Sequence, residues 1–351
     1  MFKYVIMTLF IISACAVNTN QKISQLGERL FQFTYSVDIP STEGEKMEMW
    51  IPLPSSNEVQ VISNLSIDTQ NIHYEQITGK DHGNTYLYLH EPEGTTTPKS
   101  VTIQFHVVRR EQQVVEFSQV EPNNYLGSYS VVPVGGVFEK IISENKLSKT
   151  NHRGIYDFVL SGMHYGKPKS VIDQYYSSPW LFAEDRYGLK QVNRDEIVHL
   201  YQQSQTDGSN YTFGNGNAIY ACDIGVGNCT DYHSYFLSLN RTLDIPARFH
   251  MGFPIPKGKE GIVKGYHCWA DYFVEGEGWY PVDISEADKH PEKKDYFFGA
   301  IDENRVEFVV GRDIKLKELE TDRTNLFIYP ILEINDHIST AFSKQFAYKD
   351  L

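Results

Sequence analysis

The chain has 351 residues, 41% of them hydrophobic, and a formal net charge of −13 at pH 7. This length fits about two domains, and the apolar fraction is large enough for buried cores. The acidic balance argues against nucleic acid and anionic membrane surfaces as partners. Because the acidic residues are spread along the sequence, we interpret them as solvated surface.

Residues 1–15 have the pattern of a targeting segment. Lys3 supplies a positive charge, and the apolar run over residues 4–12 is too short to span a bilayer as a helix. Ile12-Ser13-Ala14-Cys15 resembles a bacterial lipoprotein signal, which implies cleavage before Cys15 and lipid modification of that cysteine. An ordinary signal peptide is the alternative. Both interpretations predict export to the cell envelope, periplasmic or surface-exposed.

A short tether over residues 16–27 then leads into a segment with β periodicity. Residues 85–89 and 101–107 alternate clearly between apolar and polar side chains, and clusters of turn residues separate such runs. We therefore predict an N-terminal β-sandwich over residues 28–135, whose last part is linker-like. Its expected role is packing or presentation of a substrate.

Helical spacing follows over residues 137–147 and 152–164. A further helix is predicted around residues 197–201, inside a segment of about 169–211. This segment either lines or covers a cleft, or it decorates the periphery.

The stretch Gly227-Asn228-Cys229-Thr230-Asp231-Tyr232-His233 comes just before an apolar helical run. Phe236, Leu239 and Leu243 share one helix face, and Pro246 ends the helix. Cys229 is therefore predicted at a helix N-terminus, where unpaired N–H groups and the helix dipole favour an anion. Such a position lowers the pKa of a thiol from its usual ~8.5, as a thiolate nucleophile requires.

Two aromatic, β-branched runs downstream, residues 266–274 and 279–283, read as strands joined by a hairpin turn. This pairing brings His267 close to Asp283, opposite or diagonal across the strands. The imidazole can then donate one ring N–H to the carboxylate and turn its other nitrogen toward Cys229.

These blocks together resemble the transglutaminase-like superfamily of papain-type cysteine enzymes, over roughly residues 212–312. The segments that carry the resemblance are Gly227–Asp231, Asp244–Arg248, His267–Ala270 and Gly278–Asp283, and residues 285–306 resemble the bacterial branch. The resemblance implies an α+β catalytic core over residues 136–351, with a helix packed on an antiparallel β half-barrel. It also implies Cys229 as nucleophile, His267 as base and Asp283 as orienting acid. The segment 169–211 is longer than the family's usual spacer.

An acyl-transfer enzyme also needs donors for the developing oxyanion. The backbone N–H of Cys229 is one candidate, and Tyr211, Tyr220 or Trp180 are candidates for the second. The residues expected to line the substrate cleft are Tyr220, Asn228, Asp231, Tyr266 and Trp269. Asp231 is expected to cap the helix or to pair with Arg248.

The sequence contains two further cysteines, Cys222 and Cys268. Cys268 follows His267 on a strand, so its side chain should point to the opposite face, into the core. Two buried free thiols are favoured over a Cys222–Cys268 disulfide. A metal site is not expected because the cysteines lack paired-ligand spacing, and no organic cofactor is implied.

The predicted function is that of an envelope cysteine enzyme that cleaves or transfers amide bonds of peptides or proteins through a thioester. If water accepts the acyl group, the enzyme is a peptidase or amidase, and if an amine accepts it, the enzyme is a cross-linking transglutaminase. We favour the peptidase or amidase. The alternative is a non-catalytic lipoprotein that binds a peptide or glycan, but a binder has no need for the Cys/His/Asp set. The membrane is reached only through the lipid anchor, and the sequence does not indicate an oligomeric state.

Overall fold

A computed structural model describes residues 26–166, 188–319 and 321–351. The predicted signal with Cys15, the oxyanion candidate Trp180 and the first part of the 169–211 segment lie outside these residues. The strands are β1 (Glu28–Ile39), β2 (Met47–Leu53), β3 (Gln60–Asp68), β4 (Tyr74–Thr78), β5 (Thr85–Glu91), β6 (Lys99–Arg110), β7 (His164–Tyr165), β8 (Val226–Gly227), β9 (Ala247–Pro254), β10 (Glu260–Ile262), β11 (His267–Val274), β12 (Gly278–Val282), β13 (Arg305–Val310), β14 (Ile314–Lys315), β15 (Arg323–Thr324), β16 (Ile331–Ile334), β17 (His337–Ser339) and β18 (Ser343–Asp350). The helices are α1 (Val137–Asn145), α2 (His152–Gly162), α3 (Arg194–Asp207), α4 (Ala218–Ile224), α5 (Cys229–Thr242) and α6 (Ile284–Lys289).

The fold is α+β, as predicted, and three antiparallel sheets form most of it. Two sheets have five strands each, in the orders β10-β18-β1-β6-β3 and β17-β16-β2-β5-β4, and a third has the order β12-β11-β9-β13. In β1 the buried side chains alternate with partly exposed ones, as the period of two requires: Phe31, Phe33, Tyr35 and Val37 face inward. The predicted helices over 137–147, 152–164 and around 197–201 correspond to α1, α2 and α3.

The C-terminal strands complete the sheets that the N-terminal strands begin, so both five-stranded sheets contain strands from each of the predicted ranges, residues 28–135 and 136–351. Strand β18 pairs with β1, with Phe346 opposite Tyr35, and β16 pairs with β2, with Ile331 opposite Trp50. The physical reason is that β1 would otherwise present an edge of unpaired N–H and C=O groups. One continuous apolar core includes residues from all three large sheets.

Aromatic rings join the first sheet to the four-stranded sheet. The ring centre of Phe253 on β9 lies 5.3 Å from the ring centre of Phe33 on β1 and 4.4 Å from that of Phe346 on β18. Phe308 on β13 lies 5.1 Å from Phe253, and the rings contact edge to face. The sandwich strands therefore pack directly against the sheet that carries the site.

Helix α5 is the centre of the helical part. Its residues from Cys229 to Arg241 are all buried, and the helix packs on β9 and β11, with α1, α2, α4 and α6 around it. It ends as predicted before Pro246, because Asp244 adopts a left-handed backbone with φ of 56°. Among the described residues, no helix combines the length and apolar character needed to cross a membrane.

Candidate active site

Cys229 is the first residue of α5, and it is 3% exposed. The helix begins with a capping box. The Asn228 side chain accepts from the Thr230 N–H at 2.8 Å, and the Asp231 carboxylate accepts from the Asn228 N–H at 2.9 Å. The sequence therefore places the thiol at the positive end of the helix, as expected for a site that stabilises an anion.

The carboxylate of Asp231 also holds the glycine-rich loop that leads to the helix. Its two oxygens accept from the backbone N–H groups of Gly214 at 2.9 Å and Gly216 at 3.0 Å. Burial raises the pKa of Asp231 to about 7, although these N–H donors act in the opposite direction. Asp231 thus caps the helix and does not pair with Arg248, which instead binds Asp271.

His267 and Asp283 meet across the β11–β12 hairpin. Ala270 lies opposite Val282, which puts Asp283, just after β12, diagonal to His267. The Nε2 of His267 lies 2.7 Å from Oδ2 of Asp283. Glu286, three residues after Asp283, has its carboxylate 3.9 Å from the same nitrogen.

Three donors besides His267 hold the Asp283 carboxylate. Ser285 Oγ donates at 3.0 Å and the Glu286 N–H at 3.1 Å, while Arg305 Nη1 donates at 3.1 Å. Burial alone would raise the pKa of Asp283, but the charges of His267 and Arg305 hold it well below its usual range. The carboxylate therefore stays ionised, which is the state that orients an imidazole.

The thiol of Cys229 and the ring of His267 lie close enough to shift each other's pKa. Since Nε2 of His267 contacts Asp283, the other ring nitrogen, Nδ1, faces the thiol. Burial would lower the pKa of His267, but the Asp283 carboxylate raises it to about 9. A hydrogen bond from Cys268 and then the contact with His267 bring the pKa of Cys229 well below its usual value, against the effect of burial. At neutral pH these shifts favour a thiolate–imidazolium pair.

His233 connects the nucleophile's helix to the segment that follows Asp283, and the sequence analysis gave this histidine no role. Its Nδ1 donates to the carbonyl of Cys229 at 2.7 Å, and its Nε2 accepts from the Ile284 N–H at 3.1 Å. Burial lowers the pKa of His233 to about 4, so the ring is neutral and can both donate and accept. Arg305 was likewise part of a motif without a role. It binds Asp283 and lies 5.0 Å from the centre of the Trp269 ring.

A cavity of about 310 Å³ opens beside the nucleophile, between α3 and the start of α5. Asn228 and Tyr266 line it on one side. Side chains of α3 and the following loop line the other side, among them Tyr201, Ser204, Gln205 and Thr212. The described part of the 169–211 segment therefore lines this cavity.

Not all cleft candidates lie there. Tyr220 is 1% exposed and packs with Ile197, Ile224 and Val226 in a separate apolar cluster. Trp269 is buried beneath the site, stacked on His250 at 5.7 Å, with the ring of His267 at 6.4 Å. Tyr220 and Trp269, both expected at the substrate cleft, therefore do not line the cavity beside Asn228. Tyr165 was not expected, yet β7 pairs with β8 and brings Tyr165 opposite Gly227, close to the thiol.

All three described cysteines, Cys222, Cys229 and Cys268, are free thiols and buried. Cys268 points away from the face of His267, toward α5, where its Sγ lies 3.7 Å from Thr230 Oγ1. Over the part of the chain that the structure describes, no cluster of three or more His, Cys, Asp or Glu side chains is arranged to hold a metal ion.

Three comparisons with known proteins show what this chain is similar to. Residues 182–284 match the model of the transglutaminase-like superfamily. An uncharacterized protein from Haemophilus influenzae is 25% identical over an alignment 384 positions long, which covers 96% of each chain. A crystal structure from Cytophaga hutchinsonii, of a protein provisionally described as a cysteine protease, is 14% identical with a TM-score of 0.52. That match covers 93% of this chain and 94% of the other, and it establishes a common fold.

Proposed function

Because residues 182–284 match the model of the transglutaminase-like superfamily, we propose that this protein is a cysteine enzyme that acts on amide bonds of peptides or proteins. Cys229 is the nucleophile, His267 the general acid and base, and Asp283 the group that orients His267. The observation that supports this most strongly is the continuous contact of thiol, imidazole and buried carboxylate, with 2.7 Å between His267 and Asp283.

The first half of the reaction forms a thioester. The thiolate of Cys229 attacks the amide carbon, and the carbonyl oxygen becomes an oxyanion. The backbone N–H of Cys229 at the helix start is a donor for it. The C–N bond then breaks while His267 gives its Nδ1 proton to the departing amine, and Asp283 keeps the ring in position.

The second half transfers the acyl group to an acceptor. His267 takes a proton from the acceptor as it attacks the thioester, and Cys229 leaves as the thiolate. We favour water as acceptor, because the cavity beside Asn228 is lined largely by hydroxyl and amide side chains that can hold water. Transfer to an amine uses the same groups and remains the alternative outcome of the test.

The test is incubation of the purified protein with a peptide library, with and without a fluorescent primary amine. We expect shortened or deamidated peptides in both conditions, and none with Cys229→Ala. Amine incorporation in place of hydrolysis would mean that the enzyme is a transglutaminase and not a peptidase or amidase. Intact peptides, with no amine incorporated, would contradict the proposed function.

The proposed location is the cell envelope, through the signal in residues 1–15 and a lipid on Cys15. Metabolic labelling with an alkyne fatty acid in a bacterial host should mark the wild type and leave Cys15→Ser unlabelled. Equal absence of label from both would reject the lipid anchor.

A further inference from the structure

A second cavity, of about 470 Å³, lies against the four-stranded sheet, between that sheet and the loops of the sandwich. Strands β9 and β13 supply one wall, through Arg248, Glu307 and Val310. The other walls come from residues 55–58, residues 82–84 and the segment 117–125. Among the described residues, none lines both this cavity and the one beside Asn228.

Arg248 reaches the cavity with one nitrogen uncommitted, although the residue is only 3% exposed. Its Nε and Nη2 bind the two oxygens of Asp271. Its guanidinium carbon lies 4.3 Å from the ring centre of Phe117 and 4.2 Å from that of Trp279, so both flat faces are covered. Nη1 has no hydrogen-bond acceptor in the part of the chain that the structure describes. Since Arg248 lines the cavity and Asp271 does not, a ligand there can supply the missing acceptor.

His250, two residues after Arg248 on β9, adds a positive charge behind the cavity. Its Nδ1 lies 2.7 Å from Glu307 Oε2, and its Nε2 lies 3.2 Å from Asp271 Oδ2. Burial would lower the pKa of His250, but these two carboxylates raise it above its usual value. The imidazolium and the guanidinium of Arg248 therefore neutralise the two buried carboxylates.

Arg109 makes the buried charges unequal. It is fully buried, and its guanidinium binds the amide oxygens of Gln60 at 3.4 Å and Gln112 at 3.2 Å rather than a carboxylate. Burial lowers the pKa of Arg109 to about 10, which leaves it charged at neutral pH. The carboxylate of Glu58, at the exposed rim, accepts from Ser118. Three buried cations thus accompany two buried carboxylates, and an anion in the cavity balances the excess positive charge.

The rest of the cavity wall is apolar and largely aromatic. Phe117, Tyr125 and Phe308 are buried side chains of this wall, and Val120 and Val310 lie beside them. Such a wall favours a ring or a branched aliphatic group. The volume also lies within the range of about 300–1,000 Å³ that is typical of small-molecule sites.

We propose that this cavity binds a monocarboxylate with an apolar body: a free arylalkanoic acid or the carboxyl terminus of a peptide that ends in an aromatic residue. The carboxylate accepts from Nη1 of Arg248, and the apolar body contacts Phe117 and Val120. A dianion is not favoured, because Arg248 offers a single uncommitted nitrogen. Asp271, the partner of Arg248, follows His267 by four residues on β11, about 13 Å along the strand. The site is therefore separate from the catalytic groups, and it does not depend on the proposed function.

The test is isothermal titration calorimetry with the Cys229→Ala protein, which prevents turnover of a peptide. The probes are 3-phenylpropanoate, N-acetyl-alanyl-phenylalanine and the carboxamide of each. At least one acid should bind about tenfold or more tightly than its amide, because the amide cannot form the charge-assisted hydrogen bond with Arg248. Binding of 3-phenylpropanoate alone would identify a free acid as the ligand, and binding of the peptide alone would identify a carboxyl terminus. No binding of either acid, or equal binding of acid and amide, would overturn the proposal.

A filled cavity tests the location. Val120→Trp places an indole in the cavity and should weaken binding of the acid by about tenfold or more. The control is Val114→Trp, at an exposed position outside the lining, which should bind as the parent protein does. Undiminished affinity in folded Val120→Trp would overturn the proposal.

Photo-crosslinking gives the location without relying on the folding of a variant. A diazirine derivative of 3-phenylpropanoate, irradiated with the parent protein, should label peptides that contain residues 55–58, 82–84 or 117–125. Excess 3-phenylpropanoate should suppress this labelling. Labelling confined to other segments would contradict the assignment of the site.

Discussion

The reactive groups at Cys229 come from separate elements, and each has a distinct effect. The helix start supplies the backbone N–H of Cys229, β11 supplies His267, and the residue after β12 supplies Asp283. The approach of His267 to Asp283 could be predicted from sequence, because residue type, spacing and a hairpin turn all indicated it. The contacts of His233 and Arg305 could not be predicted, since tertiary packing alone creates them.

The rate of acylation should depend on pH through both members of the Cys229–His267 pair. The thiolate is present once the pH exceeds the lowered pKa of Cys229. Proton donation by His267 is lost as the pH rises through about 9. The profile of kcat/KM should therefore have a plateau that begins below ~8.5, the usual pKa of a thiol, and falls near pH 9. A rate that continues to rise through that region would contradict an imidazolium acid.

Asp283→Asn should lower kcat roughly 10²- to 10⁴-fold with little change in KM, because the amide no longer holds the charged imidazole. Glu286→Gln is the matched control. Its carboxylate is 3.9 Å from His267, so kcat should change by only a small factor. Steady-state kinetics of both variants measures these changes. A larger fall in kcat for Glu286→Gln than for Asp283→Asn would indicate that Glu286 is the orienting acid.

At the scale of elements, α5 and the β11–β12 hairpin agreed with prediction because caps, turn residues and periodicity were all local. Strands β3, β9 and β13 were not predicted. β3 and β13 each pair across a register shift, which interrupts regular alternation. β9 is buried along most of its length, so it lacks the alternation of a half-exposed strand.

The capping box of α5 should contribute more to the free energy of unfolding than the capping box of α3, because the α5 box is buried and the α3 box is exposed. Asp231→Ala leaves the N–H groups of Gly214, Gly216 and Asn228 without their acceptor, so the free energy of unfolding should fall by at least about 2 kcal/mol. Glu196 has the same position in the exposed capping box of α3, and Glu196→Ala should cost at most about 1 kcal/mol. Urea unfolding measures both values. Equal losses would mean that the buried N–H groups find other partners.

At the scale of the molecule, the sequence indicated two successive domains, and the structure joins them. The pairing of β1 with β18 links residues more than 300 positions apart, for example Phe31 with Asp350. Local patterns contain no information about such a partner, so the strands near the C-terminus could not be assigned to the first sheet. The continuous core predicts that the two five-stranded sheets and the four-stranded sheet unfold together.

Phe346→Ala tests this cooperativity, because the ring contacts Tyr35 at 4.6 Å and Phe253 at 4.4 Å. We expect a loss of about 3–5 kcal/mol in a single thermal transition. Ile338 on β17 is 57% exposed, and Ile338→Ala should stay within about 0.5 kcal/mol of wild type. Two transitions in calorimetry, with only one shifted by Phe346→Ala, would show two independent units.

The central claim is that Cys229 is a thiolate activated by His267. The most direct measurement is the rate of iodoacetamide labelling across pH, with the labelled site mapped, for wild type and His267→Ala. Cys222 is an internal control, since burial raises the pKa of its thiol to about 12 and it should stay unlabelled. We predict fast labelling of Cys229 with an apparent pKa well below ~8.5, lost in His267→Ala. Slow labelling that rises only above ~8.5 and is indifferent to His267 would contradict the account.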